Sequence, residues 1–348
     1  MWFTTLLKVL LRAAPLLAVG LAIRPLTFHP SPGSTLTKCL ANEWRVHLDE
    51  LEIVINDVRW WTGYTADSEL SQRIVVSDTF LALQGGRPTA LDRTFETISQ
   101  KLGVSMGASG RYHLRESVSG RSALEGTTVQ FRLEGNAYTA QFAPLDRGLD
   151  DALLDGLDED MDLRVLLPTD TVRVDDRWTI DLESLPDLLS PGGYFAWTLE
   201  SSGAVPSFSR SLDPSLMGEL RLLLGGMLEG QATVTYAAQE GGIAQLDLSI
   251  DVEATSGLDE LSEFAEKIVA EFSDWGAVEV ERMDLVFSLN ATGTAKWDTE
   301  RGLLMGLVLE GDVDSTLDLA VIWNLGSMHS IEVRAETHGD FEQSFDTR

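Results

Sequence analysis

Cysteine is almost absent from this sequence of 348 residues, in which Cys39 is the only one. A single thiol can form neither an intrachain disulfide nor a cysteine-based metal cluster. Stability must therefore come from packing. An apolar share of 44% is enough for a sizeable buried core, in one large domain or two moderate ones.

Basic residues are also few. The sequence has 26 Lys and Arg and 55 Asp and Glu, which gives a formal net charge of -29. Nucleic-acid phosphates and anionic membrane surfaces both require compensating positive charge. The composition therefore argues against a nucleic-acid partner. Acidity that keeps an exported protein soluble is the favoured interpretation, and an acidic docking face is the alternative.

Recognisable catalytic and cofactor motifs are missing as well. The sequence has no Gly-x-Ser-x-Gly elbow, no Walker loop, no His-Glu-x-x-His and no Gly-x-Gly-x-x-Gly. We therefore predict no enzymatic activity, no catalytic or metal-binding residue and no cofactor. A hydrolase stays as the least favoured alternative, because His47 or His113 could meet a carboxylate and Ser109 or Ser117 in space.

The acidic segment 149–162 is the strongest candidate for a metal site. Its carboxylates lack the order of an EF-hand loop. Apolar residues recur at helical spacing from Leu149 to Met161, which predicts an amphipathic helix with a solvated acidic face.

The first 42 residues contain no acidic residue. Lys8 and Arg12 precede an apolar run at 13–23, and Gly20-Leu21-Ala22 offers a signal-peptidase site. We predict that residues 1–22 are a signal peptide, with an uncleaved membrane anchor as the alternative. The protein would then be exported to the periplasm or the extracellular space, and would touch a membrane only through an uncleaved anchor.

Residues 23–42 are rich in Pro and Gly and predict a flexible leader, with order beginning near Trp44. Residues 43–345 then predict one large β-rich domain. A division of this domain near residue 190 stays open.

Alternation of apolar and polar residues predicts strands over much of the chain. The segment 127–142 indicates a hairpin, and 233–252 indicates two strands joined through Gly241-Gly242. Odd positions from Leu303 to Trp323 are apolar, which predicts one long curved strand or two strands with a bend near Gly311.

Helical spacing of apolar residues predicts further helices at 90–102, 213–228 and 258–275, the last after a capping box at Ser256 to Asp259. Apolar stripes need burial, so we expect the second and third helices to cover the sheet. The predicted fold is α+β and mainly β, a long antiparallel, curved, half-barrel-like sheet with amphipathic helices packed on one face.

One turn pattern consists of Leu166, Leu167, Pro168, Val172, Val174, Asp176 and Trp178. It resembles a pattern found in exported bacterial β-rich proteins of unknown function, with Asp175 in place of the turn glycine. The stretch 293–311 resembles consecutive strands of the same family, and the resemblance spans roughly residues 127–345. It implies an exported β-rich protein, and because that family has no established activity, the resemblance implies no catalytic residue. By pattern, the long strands with helices on one face are also similar to the half-barrels of LolA-type lipoprotein carriers.

We therefore expect an exported, non-enzymatic cell-envelope protein that holds a lipid or another apolar small molecule between sheet and helices. The candidate lining is Leu303, Met305, Leu307, Leu317, Leu319, Trp323, Phe264, Ile268 and Phe272. Ordinary core packing is the alternative role for these residues. The alternative function is an envelope scaffold or interaction module, which docks an envelope protein through its acidic surface or a sheet edge.

Overall fold

The structure is a computed structural model that describes residues 25–61, 64–108, 112–146, 148–201, 223–272, 276–324 and 327–348. Fourteen strands of this part of the chain form one antiparallel sheet. The strands are β1 (Thr35–Ile55), β2 (Val58–Trp61), β3 (Tyr64–Gln84), β4 (Arg87–Ala108), β5 (Tyr112–Arg121), β6 (Thr128–Glu134), β7 (Ala137–Phe142), β8 (Arg177–Ile180), β9 (Thr198–Ser201), β10 (Met227–Glu240), β11 (Ile243–Ser256), β12 (Ala277–Asp298), β13 (Leu303–Asn324) and β14 (Met328–Thr347).

The pairing of β1 with β14 joins the two ends of the chain at the middle of the sheet. The main order is β7-β6-β4-β3-β1-β14-β13-β12-β11-β10-β8; β2 pairs with β1, and β5 pairs with β4 and β9. Because β7 and β8 do not pair with each other, the sheet is not closed. Strands of 20 to 22 residues are several times the usual length, and six of the fourteen are that long.

The long strands divide the sheet into two halves that differ in cover. In the base half, formed by 35–48, 70–102, 287–313 and 337–347, most side chains on one face of the sheet are buried, Leu40 and Leu309 among them. We call this the inner face. In the distal half, formed by the described residues of 49–69, 103–121, 277–286 and 314–336, most side chains of the same face are only partly buried.

An irregular stretch, the inner segment 143–197, covers the inner face of the base half. Met161, Leu188 and Phe195 of this segment are buried in the main core. Gln343 Nε2 on β14 donates to the Leu188 carbonyl at 3.1 Å, which ties the segment to the sheet. One core cluster holds side chains from this segment and from strands on both sides of β1, so the sheet encloses the inner segment.

The prediction that amphipathic helices cover one face is wrong. The described residues contain two α-helices, α1 (Leu185–Leu189) within the inner segment and α2 (Ser262–Phe272). Only α2 matches a predicted helix. Ala265 of this helix and Leu261 just before it cluster with Met283 and Leu285 of β12, and Leu317 and Leu319 of β13 pack against the same cluster, so the helix covers only a small part of the sheet. Residues 213–222 lie outside the described residues, and 227–228 belong to β10.

A bulge explains why the predicted helix at 90–102 is a strand. The register of β3 and β4 shifts between Phe95 and Thr97, so the inward-facing positions change phase there. Leu91, Phe95, Ile98 and Leu102 therefore all face the core from a strand while they keep helical spacing.

The acidic helix predicted at 149–161 is also wrong. Asp150 caps a 3-10 helix at Asp151–Leu154, and turns follow it. Leu157 forms an isolated bridge with Gly193 in place of a helical turn. Tertiary contacts within the inner segment therefore override the local helical pattern.

The segment 25–42, predicted as a flexible leader, belongs to the fold. Leu26 and Phe28 are buried in the main core, and β1 begins at Thr35. The Phe28 ring meets the Phe80 ring edge-on at 5.7 Å between centroids. Pro and Gly in this segment therefore shape a packed approach to β1.

Other strand predictions are confirmed. The 127–142 hairpin is β6 and β7, the paired strands after Gly230 lie in β10 and β11, and the stripe from Leu303 to Trp323 lies in the single strand β13. No helix among the described residues is long and apolar enough to cross a membrane. Residues 1–24, with the predicted signal peptide, lie outside them.

Candidate functional site

Apolar side chains form cross-strand rows on the inner face of the distal half. Ile53 on β1 pairs with Val333 on β14, which pairs with Leu319 on β13. Leu319 in turn pairs with Met283 on β12. The next row runs from Ile55 through Ile331 and Val321 to Val280. Since alternate residues of a strand share a face, these rows form one continuous apolar surface.

Cover over this surface decreases from β12 towards β1. Met283 is fully buried beneath α2, and Leu319 packs at the edge of the same cluster. Ile53 and Val333, which are not among the residues packed into that cluster, are only partly buried. Among the described residues, the β1 and β14 side of the surface is therefore the part open to a ligand.

A small cavity lies where this surface meets the base half. It has a volume of about 130 Å³. Its lining is Trp44, Val46, Ser68, Leu70, Leu223, Phe287, Val313, Asp314, Ser315 and Thr337. A drug-sized ligand takes about 300–1,000 Å³. The cavity can therefore accept only the end of a narrow apolar chain.

The structure divides the predicted lining into two groups. Leu303 and Leu307 belong to the main core, whereas Leu317, Leu319, Phe264 and Ile268 belong to the cluster at α2. Leu307 and Leu317 lie ten residues apart on one strand, which is about 33 Å, so one small ligand cannot contact both groups.

Three predicted lining residues belong to neither group. Met305 is partly buried near the register shift opposite Lys296 and Trp297. Trp323 is partly buried near the end of β13, opposite Val278. The side chain of Phe272 lies outside the described part of the chain.

Sequence reasoning missed the contribution of β1 and β14 to the surface. The alternation through Leu51, Ile53 and Ile55, and through Ile331, Val333 and Ala335, is visible in the sequence. Nothing in either segment shows that the first and last long strands are neighbours. The sequence therefore indicates an apolar strand face in each segment, but it does not show that the two strands lie side by side.

A buried ion cluster also replaces the solvated acidic face that the sequence predicted. Lys38 Nζ lies 2.7 Å from Asp78 and 2.8 Å from Asp162, and all three side chains are at most 4% exposed. Arg164 pairs with Glu159 beside them. Burial raises the pKa of Glu159 to about 7 despite that contact. The cluster anchors the inner segment to the sheet. As for the predicted metal candidate, within the described residues no group of three or more His, Cys, Asp or Glu could hold a metal ion.

The hydrolase alternative requires a histidine such as His47 to meet both a carboxylate and a serine. His47 Nδ1 lies 2.7 Å from Asp67 Oδ1, as in a catalytic dyad. Ser117 lies on β5, three strand spacings from β1 and hence about 14 Å away. Ser109 and the side chain of His113 lie outside the described residues. The described part of the chain therefore assembles no triad from these residues.

Fold and site together define an open antiparallel β-sheet protein with a partly uncovered apolar surface. Comparison of the chain with known protein families found no family model that matches. Comparison with curated proteins found no significant match.

Proposed function

We propose that this is an exported, non-enzymatic cell-envelope protein that binds a single apolar chain, such as the acyl chain of a lipid, on the inner face of its distal half. The observation that carries the proposal is the continuous apolar surface from Met283 to Ile53, which loses its cover towards β1. The N-terminal pattern of Lys8, Arg12 and an apolar run supports export.

The shape of the site favours a chain over a compact ligand. The cavity beside Trp44 admits only a narrow group, and beyond it one apolar row follows another along the direction of the strands. An acyl chain with its end in the cavity would lie over Val333 and Ile53. Each buried methylene contributes about 0.8 kcal/mol, so affinity depends on how much of the chain the surface contacts.

Titration with fatty acids of increasing length tests the proposal. We expect affinity, measured by displacement of an environment-sensitive fluorescent fatty acid, to rise about fourfold per added methylene until the surface is filled. An affinity that does not change with chain length would contradict binding on an extended apolar surface.

Matched variants locate the binding. Val333→Asp places a charge on the inner face, whereas Val308→Asp makes the same change at a position 46% exposed on the opposite face. We expect the first to abolish binding and the second to leave it unchanged. The near-isosteric Val333→Thr gives a weaker effect of the same sign if the aspartate variant misfolds. Equal binding by all variants would overturn the assignment.

The natural ligand can be sought in protein purified from its own envelope. Native mass spectrometry and solvent extraction should show a bound lipid, which the Val333→Asp protein should lack. A ligand-free mass in repeated wild-type preparations, together with no fatty-acid binding, would overturn the proposal.

A further inference from the structure

Two histidines face each other on the outer side of the sheet, away from the apolar surface. His47 on β1 pairs with His338 on β14, and their ring centroids are 5.3 Å apart. The same row continues to Asp67 on β3 and to Asp314 on β13. Four neighbouring strands therefore align a carboxylate, two imidazoles and a second carboxylate.

Each imidazole is oriented by a carboxylate. His47 Nδ1 lies 2.7 Å from Asp67 Oδ1, and His338 Nδ1 lies 2.6 Å from Asp49 Oδ2. Asp49 is the residue left unpaired where the register of β1 shifts, and bulges of this kind redirect a side chain. The bulge thus supplies the carboxylate that holds His338.

This arrangement suits a metal ligand. A histidine that donates Nδ1–H to a carboxylate presents the lone pair of Nε2, and metal-binding histidines are commonly held in this way. Within the described part of the chain neither Nε2 has a hydrogen-bond partner, and the side chains are 37% and 56% exposed.

The surroundings favour a cation. The pair lines an outer groove of about 590 Å³. Its other charged lining residues are the four carboxylates Asp67, Glu69, Asp312 and Asp340 and the two cations Arg45 and Arg115. Arg45, the nearest cation on β1, pairs with Glu43 and Asp340 at 2.9 and 3.0 Å. These contacts offset the charge of Arg45, and the four lining carboxylates outnumber the two lining cations, so the groove is acidic.

We propose that His47 and His338 bind one divalent transition-metal ion of the imidazole-preferring class, such as Zn²⁺, through their Nε2 atoms. Two Zn–N bonds of about 2.0–2.1 Å at a tetrahedral angle place the ring centroids roughly 5 Å apart, close to the observed separation. With two protein ligands the remaining positions are open to water, so binding is weaker than in a four-ligand structural site.

Calorimetric titration of the full chain with Zn²⁺ near pH 7.5, in excess Mg²⁺, tests the proposal. Mg²⁺ occupies carboxylate sites but is poorly matched to imidazole. We expect one Zn²⁺ per chain, and binding at least tenfold weaker in His47→Ala and in His338→Ala. Asp67→Asn and Asp49→Asn should also weaken it, by about 10- to 100-fold if they orient the ligands.

His329→Ala is the matched control, because His329 is also a partly exposed histidine, bonded to Asn56 and Ser327 at the other end of β14. It should bind Zn²⁺ as the wild type does. Histidine ring proton shifts in the NMR spectrum give a second measurement, and only His47 and His338 should respond. No Zn²⁺ binding by the wild type, or an unchanged isotherm in a variant that carries both His47→Ala and His338→Ala, would overturn the proposal.

Discussion

Arg93 and Asp78 form a bidentate ion pair inside the core, with Nε–Oδ1 at 2.8 Å and Nη2–Oδ2 at 2.9 Å. Both side chains are fully buried. Arg93 also donates to the carbonyls of Asp158 and Glu159, at 2.8 and 2.7 Å. The pair therefore links two neighbouring strands to the inner segment.

Asp78→Asn should strongly destabilise the protein. It leaves the cations of Arg93 and Lys38 buried with less compensating charge, and loss of one partner from a buried pair costs about 3–5 kcal/mol. We expect the free energy of unfolding, measured in urea, to fall by that amount. Asp340→Asn breaks the exposed pair with Arg45 and should cost under about 1 kcal/mol. Equal losses would mean that the buried pair is not a specific anchor.

Stability should fall as the pH rises from about 4.5 to 7. Burial raises the pKa of Glu159 to about 7 from 4.5, so across this window the native protein holds a proton that the unfolded chain has released. Burial also raises the pKa of Asp162, with an effect of the same sign. Urea unfolding at a series of pH values measures this. Glu159→Gln should make the decline shallower, and an unchanged decline would exclude Glu159 as its source.

Stability should also fall in acid. The pKa of Asp78 is lowered to about 2 because the cations of Arg93 and Lys38 outweigh the effect of burial. Its stabilising contribution is present above its unfolded pKa of about 3.9 and is lost as the pH falls towards 2. In Asp78→Asn the acid decline should be smaller, and a full decline in that variant would contradict this origin.

Gly193→Ala tests how closely two turns of the inner segment, at Gly156 and at Gly193, pack against each other. Gly193 has φ +85°, and an added Cβ would lie 2.2 Å from the Gly156 carbonyl oxygen. The backbone must therefore move, and we expect a loss of about 3 kcal/mol or more in the free energy of unfolding. Gly241→Ala is the control, with φ +57° and no atom within 4 Å, and should cost only about 1–2 kcal/mol. Similar losses of unfolding free energy in the two variants would show that the backbone near Gly193 can move at little cost.

The sequence predicts strands well where one phase of alternation persists, as in β13, and fails where the phase changes. At β4 one bulge turns period two into helical spacing, so Phe95 and Ile98 look like members of a helix. The prediction for the inner segment fails for another reason. Its order depends on charges from distant strands, such as Lys38 against Asp162. The one readable sign was Lys38 itself, which stands in the inward phase between Leu36 and Leu40.

Neither the apolar surface nor the histidine pair could be predicted from the sequence, because each requires β1 to lie beside β14. His47 and His338 lie 291 residues apart in the chain. Trp44 and Phe341 lie 297 residues apart, and their rings stack at 4.7 Å between centroids only because β1 pairs with β14. Alternation shows which face a residue occupies, but it carries no information on which strand is the neighbour.

Hydrogen exchange along β13 should separate the two halves of the sheet. Both halves of this strand are hydrogen-bonded to β12 and β14, so backbone pairing is matched. Their side-chain cover differs, since Leu309 is fully buried and Leu319 only partly. Few buried apolar contacts permit local opening, so amides of 314–324 should exchange faster than those of 303–313. A bound fatty acid should slow exchange in the distal half alone. Equal protection along the free strand would mean that the apolar surface is already covered, and would remove the basis for ligand binding there.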